Sequence, residues 1–134
     1  MAIYNARCII GGYWEEYRRV YVDERLALKP YAQAGTLYKD GEVQLISYDT
    51  LVCYSEHGYI YCTGTYSAST RKHIGAWIRE HFPKLSYYDM KYCDMYNCCI
   101  KYDGTEIVSN DTGEVFDNWE DAKRDYKARQ REMN

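Results

Sequence analysis

The stretch Leu45–Ile78, LISYDTLVCYSEHGYIYCTGTYSASTRKHIGAWI, constrains the fold more than any other part of the chain. Leu51 to Tyr54 and Tyr59 to Thr63 are short apolar runs rich in β-branched and aromatic residues. Glu56-His57-Gly58 separates them, so the two runs read as strands joined by a tight turn. After the second strand, Gly64-Thr65-Tyr66-Ser67 leaves the sheet. Ser67 or Ser69 can cap the helix that follows, because a side-chain oxygen accepts an amide hydrogen of the first turn. Ile74, Trp77, Ile78 and Phe82 then mark one helical face, and Pro83 closes the helix.

The flanking segments extend this pattern. Upstream, Ala6 to Ile10 is an apolar strand candidate ended by Gly11-Gly12. Tyr13 to Leu28 is charged and amphipathic and is predicted as helix, although the alternation Arg19-Val20-Tyr21-Val22-Asp23 suits a strand equally. Asp40-Gly41 is a turn signal, and Val43, Leu45 and Ser47 alternate with Glu42, Gln44 and Ile46. Downstream, residues 84–97 are Tyr-rich and ambiguous. Cys98 to Tyr102 and Glu106 to Ser109 read as a hairpin about Asp103-Gly104, followed by Val115-Phe116. Asp117 with Glu120 is an N-terminal capping pattern that starts the last helix. Trp119, Ala122 and Tyr126 can dock, whereas the stretch from Lys127 to Asn134 carries no apolar stripe and is expected to fray.

The expectation is a single α+β domain over residues 1–134. A mostly antiparallel sheet of about five strands would carry a central helix over about 69–82 and a C-terminal helix over about 118–131. A chain of 134 residues with 46% apolar content can bury one modest core.

Composition narrows the function classes. The net charge is −3, which argues against a polybasic nucleic-acid binder while allowing a local basic patch. The chain holds 17 Tyr against 2 Phe. Tyr rings can build a core whose tips stay wet, or present a rigid sticky face to a partner. Cys8, Cys53, Cys62, Cys93, Cys98 and Cys99 lack a preceding secretory signal, so reduced and mostly buried thiols in an intracellular protein are expected. No apolar run has the length of a membrane span.

No catalytic signature stands in the chain. The spacing of Cys93, Cys98 and Cys99 contains no CxxC pair, and His57, His73 and His81 are not set as ligand pairs, so neither a metal nor a cofactor is expected. No Cys is flanked by a nucleophile turn, and no glycine-rich phosphate loop exists. The segment Tyr66, Ser67, Ser69, Thr70, Arg71, Lys72 and His73 is different. It gathers hydroxyls, amides and two cations at a helix N-terminus, which would attract an anion or a partner's charged surface. The alternative is a plain cap with solvated cations.

These same residues resemble a set of small uncharacterised proteins of tailed phages and related mobile elements. Their shared pattern is S-Y-x-T-x-V, a short hairpin, then G-x-Y-S-x-T-T-x-x-H-I. It stands here as Ser47-Tyr48-Asp49-Thr50-Leu51-Val52 and Gly64-Thr65-Tyr66-Ser67-Ala68-Ser69-Thr70-Arg71-Lys72-His73-Ile74, with Ser69 where a Thr is expected. The resemblance implies a phage-type, non-enzymatic protein in the host cytoplasm. Its partner would be a host protein of antiviral defence, with a CRISPR effector as the candidate target and inhibition as the outcome. The rival expectation is a nucleic-acid or nucleotide-binding accessory protein that uses the corner from Ser67 to His73.

Overall fold

The computed structural model describes residues 2–6, 9–10, 13–14, 18–22, 34–39, 41–47, 50–64 and 67–133, with side chains placed from residue 41 onward except at position 69. The described residues form an α+β fold of antiparallel strands and three helices. The strands are β1 (Ala2–Ala6), β2 (Ile9–Ile10), β3 (Tyr13–Trp14), β4 (Arg18–Val22), β5 (Ala34–Lys39), β6 (Glu42–Ser47), β7 (Thr50–Glu56), β8 (Tyr59–Cys62), β9 (Cys98–Lys101), β10 (Ile107–Ser109) and β11 (Val115–Phe116). The helices are α1 (Ala68–His81), α2 (Tyr87–Tyr96) and α3 (Trp119–Met133).

Nine strands share one sheet in the order β1-β4-β5-β6-β7-β8-β9-β10-β11, and β2 pairs with β3 separately. The sheet is therefore wider than the sequence pattern suggested. Part of the difference lies within Tyr13–Leu28, where the described residues, Tyr13–Trp14 and Arg18–Val22, are strands rather than the helix expected from amphipathic spacing. Arg18–Val22 instead pairs with β1, Ile3 opposite Tyr21 and Tyr4 opposite Val20. The alternation of Val20 and Val22 with Arg19 and Tyr21 outweighs the helical spacing, because β-branched residues fit a pleated surface. The remainder of that segment, residues 15–17 and 23–28, lies outside the described residues.

The β7–β8 hairpin forms as its sequence indicated. His57 and Gly58 both take positive φ, 50° and 87°, and Glu56 pairs with Tyr59 across the turn. This two-residue left-handed turn matches the natural twist of the strands. Between β6 and β7 the register shifts. Leu45 faces Cys53 while Ile46 faces Leu51, so Val52 is an extra residue in β7. The bulge lets both Val52 and Cys53 be fully buried.

One core lies between the sheet and the helices. Leu45, Val52, Cys53, Ile60, Ile100 and Ile107 meet Ile74, Trp77 and Ile78 of α1, Met90 and Cys93 of α2, and Ala122 of α3. The α1 face is the one marked by Ile74, Trp77, Ile78 and Phe82. α2 was ambiguous in sequence, and Asn97 ends it in the left-handed region at φ 50°. Many tyrosines serve packing: Tyr92, Tyr96, Trp119 and Tyr126 form a ring cluster where α2 meets α3, and Tyr54 stacks on Tyr61 at 4.9 Å.

The start of α3 differs in detail from expectation. Asn118, not Asp117, holds it: Asn118 Oδ1 accepts from the Asp121 amide at 2.9 Å, and Asn118 Nδ2 donates back to Asp121 Oδ2. α3 runs to Met133, close to the expected end at about 131, and is helical through the stretch from Lys127 that was expected to fray. Arg129 supplies the tie that an apolar stripe would have given. It bonds Asp125 at 2.9 Å and Asp111 at 3.0 Å, and its guanidinium lies over the Tyr126 ring.

No helix among the described residues is long and apolar enough to cross a membrane.

Candidate functional site at the first helix

α1 begins at Ser67, whose Oγ accepts a hydrogen bond from the Thr70 amide at 3.2 Å. Of the two serines that could cap the helix, the structure uses the first. The helix then separates the expected site residues onto two faces. Thr70 and His73 point inward, 3% and 7% exposed, while Arg71 and Lys72 are exposed. Ser69 lies in the helix backbone, and Tyr66 lies outside the described residues.

The inward face holds a polar network. Ser47, at the end of β6, is 2% exposed. Its Oγ lies 2.8 Å from His73 Nδ1 and 3.1 Å from Thr70 Oγ1. Ser67 Oγ also contacts Thr70 Oγ1 at 3.2 Å. Three hydroxyls and one imidazole thus stitch the end of β6 to the start of α1. Burial lowers the His73 pKa below its ordinary value of 6.5, favouring the neutral ring that can share a proton with Ser47. The hydroxyls of Ser67 and Thr70 are committed to this network and are not free donors for an external anion.

The outward face is basic. Arg71, Lys72, Gly75, Ala76, Arg79 and Tyr87 line an open groove of about 370 Å³. Arg71, Gly75 and Arg79 follow one another at the four-residue spacing of a single helical stripe. Gly75 lacks a side chain, and a Cβ there would stand 3.3 Å from Arg79 Nη1, so the guanidinium reaches back over this position. Tyr87, the first residue of α2, forms the opposite wall. Among the described residues no carboxylate lines the groove, and none is ion-paired to Arg71, Lys72 or Arg79. The first turn of α1 likewise carries no acidic residue. Arg71 and Lys72 sit at the end of the helix where the dipole disfavours cations. Local stability therefore does not account for their presence.

Sequence reasoning found Arg71 and Lys72 but missed Arg79 and Tyr87. The stripe Arg71–Gly75–Arg79 was the available signal for Arg79. Tyr87 had none, because its proximity depends on the turn between α1 and α2.

The thiols stand elsewhere. Cys53, Cys93, Cys98 and Cys99 are buried and unbridged, and Cys62 is half-buried. Burial raises the Cys93 pKa well above the usual range and lifts Cys98 to about 11. Among the described residues, no three His, Cys, Asp or Glu side chains are grouped as a metal ion would need. His57 stands on the exposed hairpin tip, 3.9 Å from Glu56.

The model of DUF8033, a family of unknown function, matches residues 21–90, just over half of the chain. The chain belongs to the DUF8033 family. The matched DUF8033 region runs from within β4 into α2. It contains the whole of the Ser47–Thr70–His73 network and every residue of the basic groove. No curated protein and no solved structure matches the chain.

Proposed function

We propose that this DUF8033 member is a non-enzymatic nucleic-acid-binding accessory protein that holds a single strand in the α1 groove. The observation that carries this reading is the grouping of Arg71, Lys72 and Arg79 with Tyr87 around a groove that no described acidic residue lines. Cations that track phosphates beside an aromatic ring on which a base can stack form the usual single-strand platform. The chain's net acidity weakens non-specific attraction, so binding would depend on this one patch.

The test is fluorescence anisotropy with single-stranded DNA and RNA oligonucleotides over a salt series. Affinity should fall with salt. The double variant Arg71→Ala/Lys72→Ala should lose about 1.4 from the slope of log K against log salt, as expected when two contacts to a single strand are removed. Equal affinity and equal slope in the parent and the double variant would overturn the reading.

A second reading has its own observation. α2 exposes Tyr88 at 61% and Met95 at 46%, seven residues apart and so on one side of the helix, beside the groove wall at Tyr87. An exposed aromatic and a methionine on one helix face suit a protein partner. With the phage-type pattern, this supports an inhibitor that occupies a host defence protein, such as a CRISPR effector nuclease, in the host cytoplasm. Titrating the protein into an effector's DNA-cleavage reaction tests it. Inhibition that is lost in Tyr88→Ala/Met95→Ala supports this reading, and no inhibition by the parent would overturn it for that effector.

A further inference from the structure

Cys53 and Cys62 occupy facing positions of β7 and β8. The pairing pattern fixes which kind of position this is. In a two-residue hairpin the residues flanking the turn, here Glu56 and Tyr59, exchange backbone hydrogen bonds, and the type then alternates along the ladder. Ser55–Ile60 is a pair without backbone bonds, Tyr54–Tyr61 is bonded, and Cys53–Cys62 is again without them. The Thr63 amide bonds Val52 O at 2.8 Å, which confirms the alternation one step further on. In a pair without backbone bonds the Cα atoms approach to about 4.5 Å and the side chains lie closest. That lies within the Cα span of about 4.4–6.8 Å that a disulfide bridges.

The two thiols differ in access and in acidity. Cys53 is fully buried, while Cys62 is half-buried at the open end of the strand pair. A hydrogen bond from the Cys53 thiol lowers the Cys62 pKa, and burial raises that of Cys53 well above the usual range. Cys62 also makes a long contact of 3.6 Å to Gly64 O. A partly exposed, more acidic thiol over a buried partner is the arrangement of an attacking and a resolving cysteine.

We propose that Cys53 and Cys62 form an oxidisable cross-strand dithiol, in which Cys62 reacts first with a small disulfide such as glutathione disulfide and Cys53 resolves the adduct. In the first step the Cys62 thiolate attacks one sulfur of glutathione disulfide. A mixed disulfide forms at Cys62, and one glutathione thiolate leaves. In the second step Cys53 Sγ attacks Cys62 Sγ. The Cys62–glutathione bond breaks, the Cys53–Cys62 bond forms, and the second glutathione leaves, taking up the Cys53 proton. The dithiol is oxidised by two electrons, and one glutathione disulfide is reduced to two glutathione molecules. Cys93, behind the pair on α2, is nearly fully buried and offers no comparable entry.

Tryptic mapping can read this directly, because residues 40–71 form one fragment that contains Cys53, Cys62 and no other cysteine. The folded, reduced full chain is incubated with glutathione disulfide, then denatured, alkylated and digested. The expected fragment is lighter by two hydrogens, carries no alkyl group, and is restored by dithiothreitol. Cys62→Ala should abolish the bridge and leave Cys53 alkylated without a glutathione adduct. Cys53→Ala should leave glutathione stranded on Cys62. Three results in the parent would each overturn the proposal: alkylation of both cysteines, a lasting glutathione adduct on Cys62, or a bridge from either residue to another cysteine. The parent measurement decides by itself should Cys53→Ala not fold.

Discussion

Asp89 Oδ1 accepts the indole N–H of Trp119 at 2.9 Å, joining the first turn of α2 to the first residue of α3. Its other oxygen accepts from the Ser86 amide at 2.8 Å. A single carboxylate therefore both caps one helix and seats the next. Asp89→Ala is expected to cost about 1–3 kcal/mol, more than the ~1 kcal/mol of an ordinary cap, because the indole donor is also left unpaired. Urea unfolding measures this, and an unchanged midpoint would show that water replaces both bonds.

The Ser47 hydroxyl should matter more than its size suggests. Ser47→Ala removes the partner of His73 Nδ1 and one partner of Thr70 Oγ1 in a buried site, a loss of about 1–3 kcal/mol. Thr70→Val keeps the shape and removes the hydroxyl. In a double-mutant cycle the two changes should couple by about 0.5–3 kcal/mol. Additive losses in urea melts would mean that the hydroxyls act independently.

His73 gives stability a pH dependence with a definite sign. Its folded pKa lies below the ordinary 6.5, so the unfolded chain binds the proton first as pH falls. The contribution is fully present above 6.5, declines as pH falls from there toward the folded value, and then levels off. The slope in that window can reach about 1.4 kcal/mol per pH unit. Unfolding followed between about pH 7.5 and about pH 5.5 should show this decline, and His73→Gln should flatten it. A parent whose stability rises on acidification through this window would contradict the assignment.

Trp77 should respond differently to two substitutions. Its side chain is 1% exposed in the core, and its Nε1 has no hydrogen-bond partner. Trp77→Ala is expected to cost roughly 3–5 kcal/mol through the cavity it leaves. Trp77→Phe removes the unpaired donor while keeping most of the ring, so its cost should be much smaller. Thermal melts of both variants test this. Equal losses would show that shape alone holds the indole.

The parts of the fold legible in sequence were those with local causes. His57-Gly58 dictated its hairpin through backbone conformation. Ile74, Trp77 and Ile78 dictated the buried face of α1 through spacing. α2 was not legible because its apolar residues surround it: Met90, Cys93 and Tyr96 are buried, yet Tyr88 and Met95 are exposed, so no single stripe stands out. At the candidate site, cap and cations were visible as one cluster. Their division between an inward network and an outward groove was not, because it depends on Ser47 arriving from a strand 23 residues before Thr70.

The bulge at Val52 bears on how this chain can tolerate changes in length. Side chains alternate along a strand, so losing one residue of a regular ladder reverses the facing of everything on one side of the gap. Deleting Val52 would restore an unbroken ladder with the Leu45–Cys53, Ile46–Leu51 and Ser47–Thr50 pairings kept, and only the buried Val52 side chain lost. Deleting Tyr54 instead leaves the bulge in place and reverses the facing of the strand on one side of the gap. An extra residue after Gly41, by contrast, enters a turn whose glycine has nothing within 4 Å of where a Cβ would sit. Insertions and deletions should accumulate at that turn and be purged from β7 outside the bulge, so that related chains vary in length at one end of β6 and not along the regular part of the strand beside it.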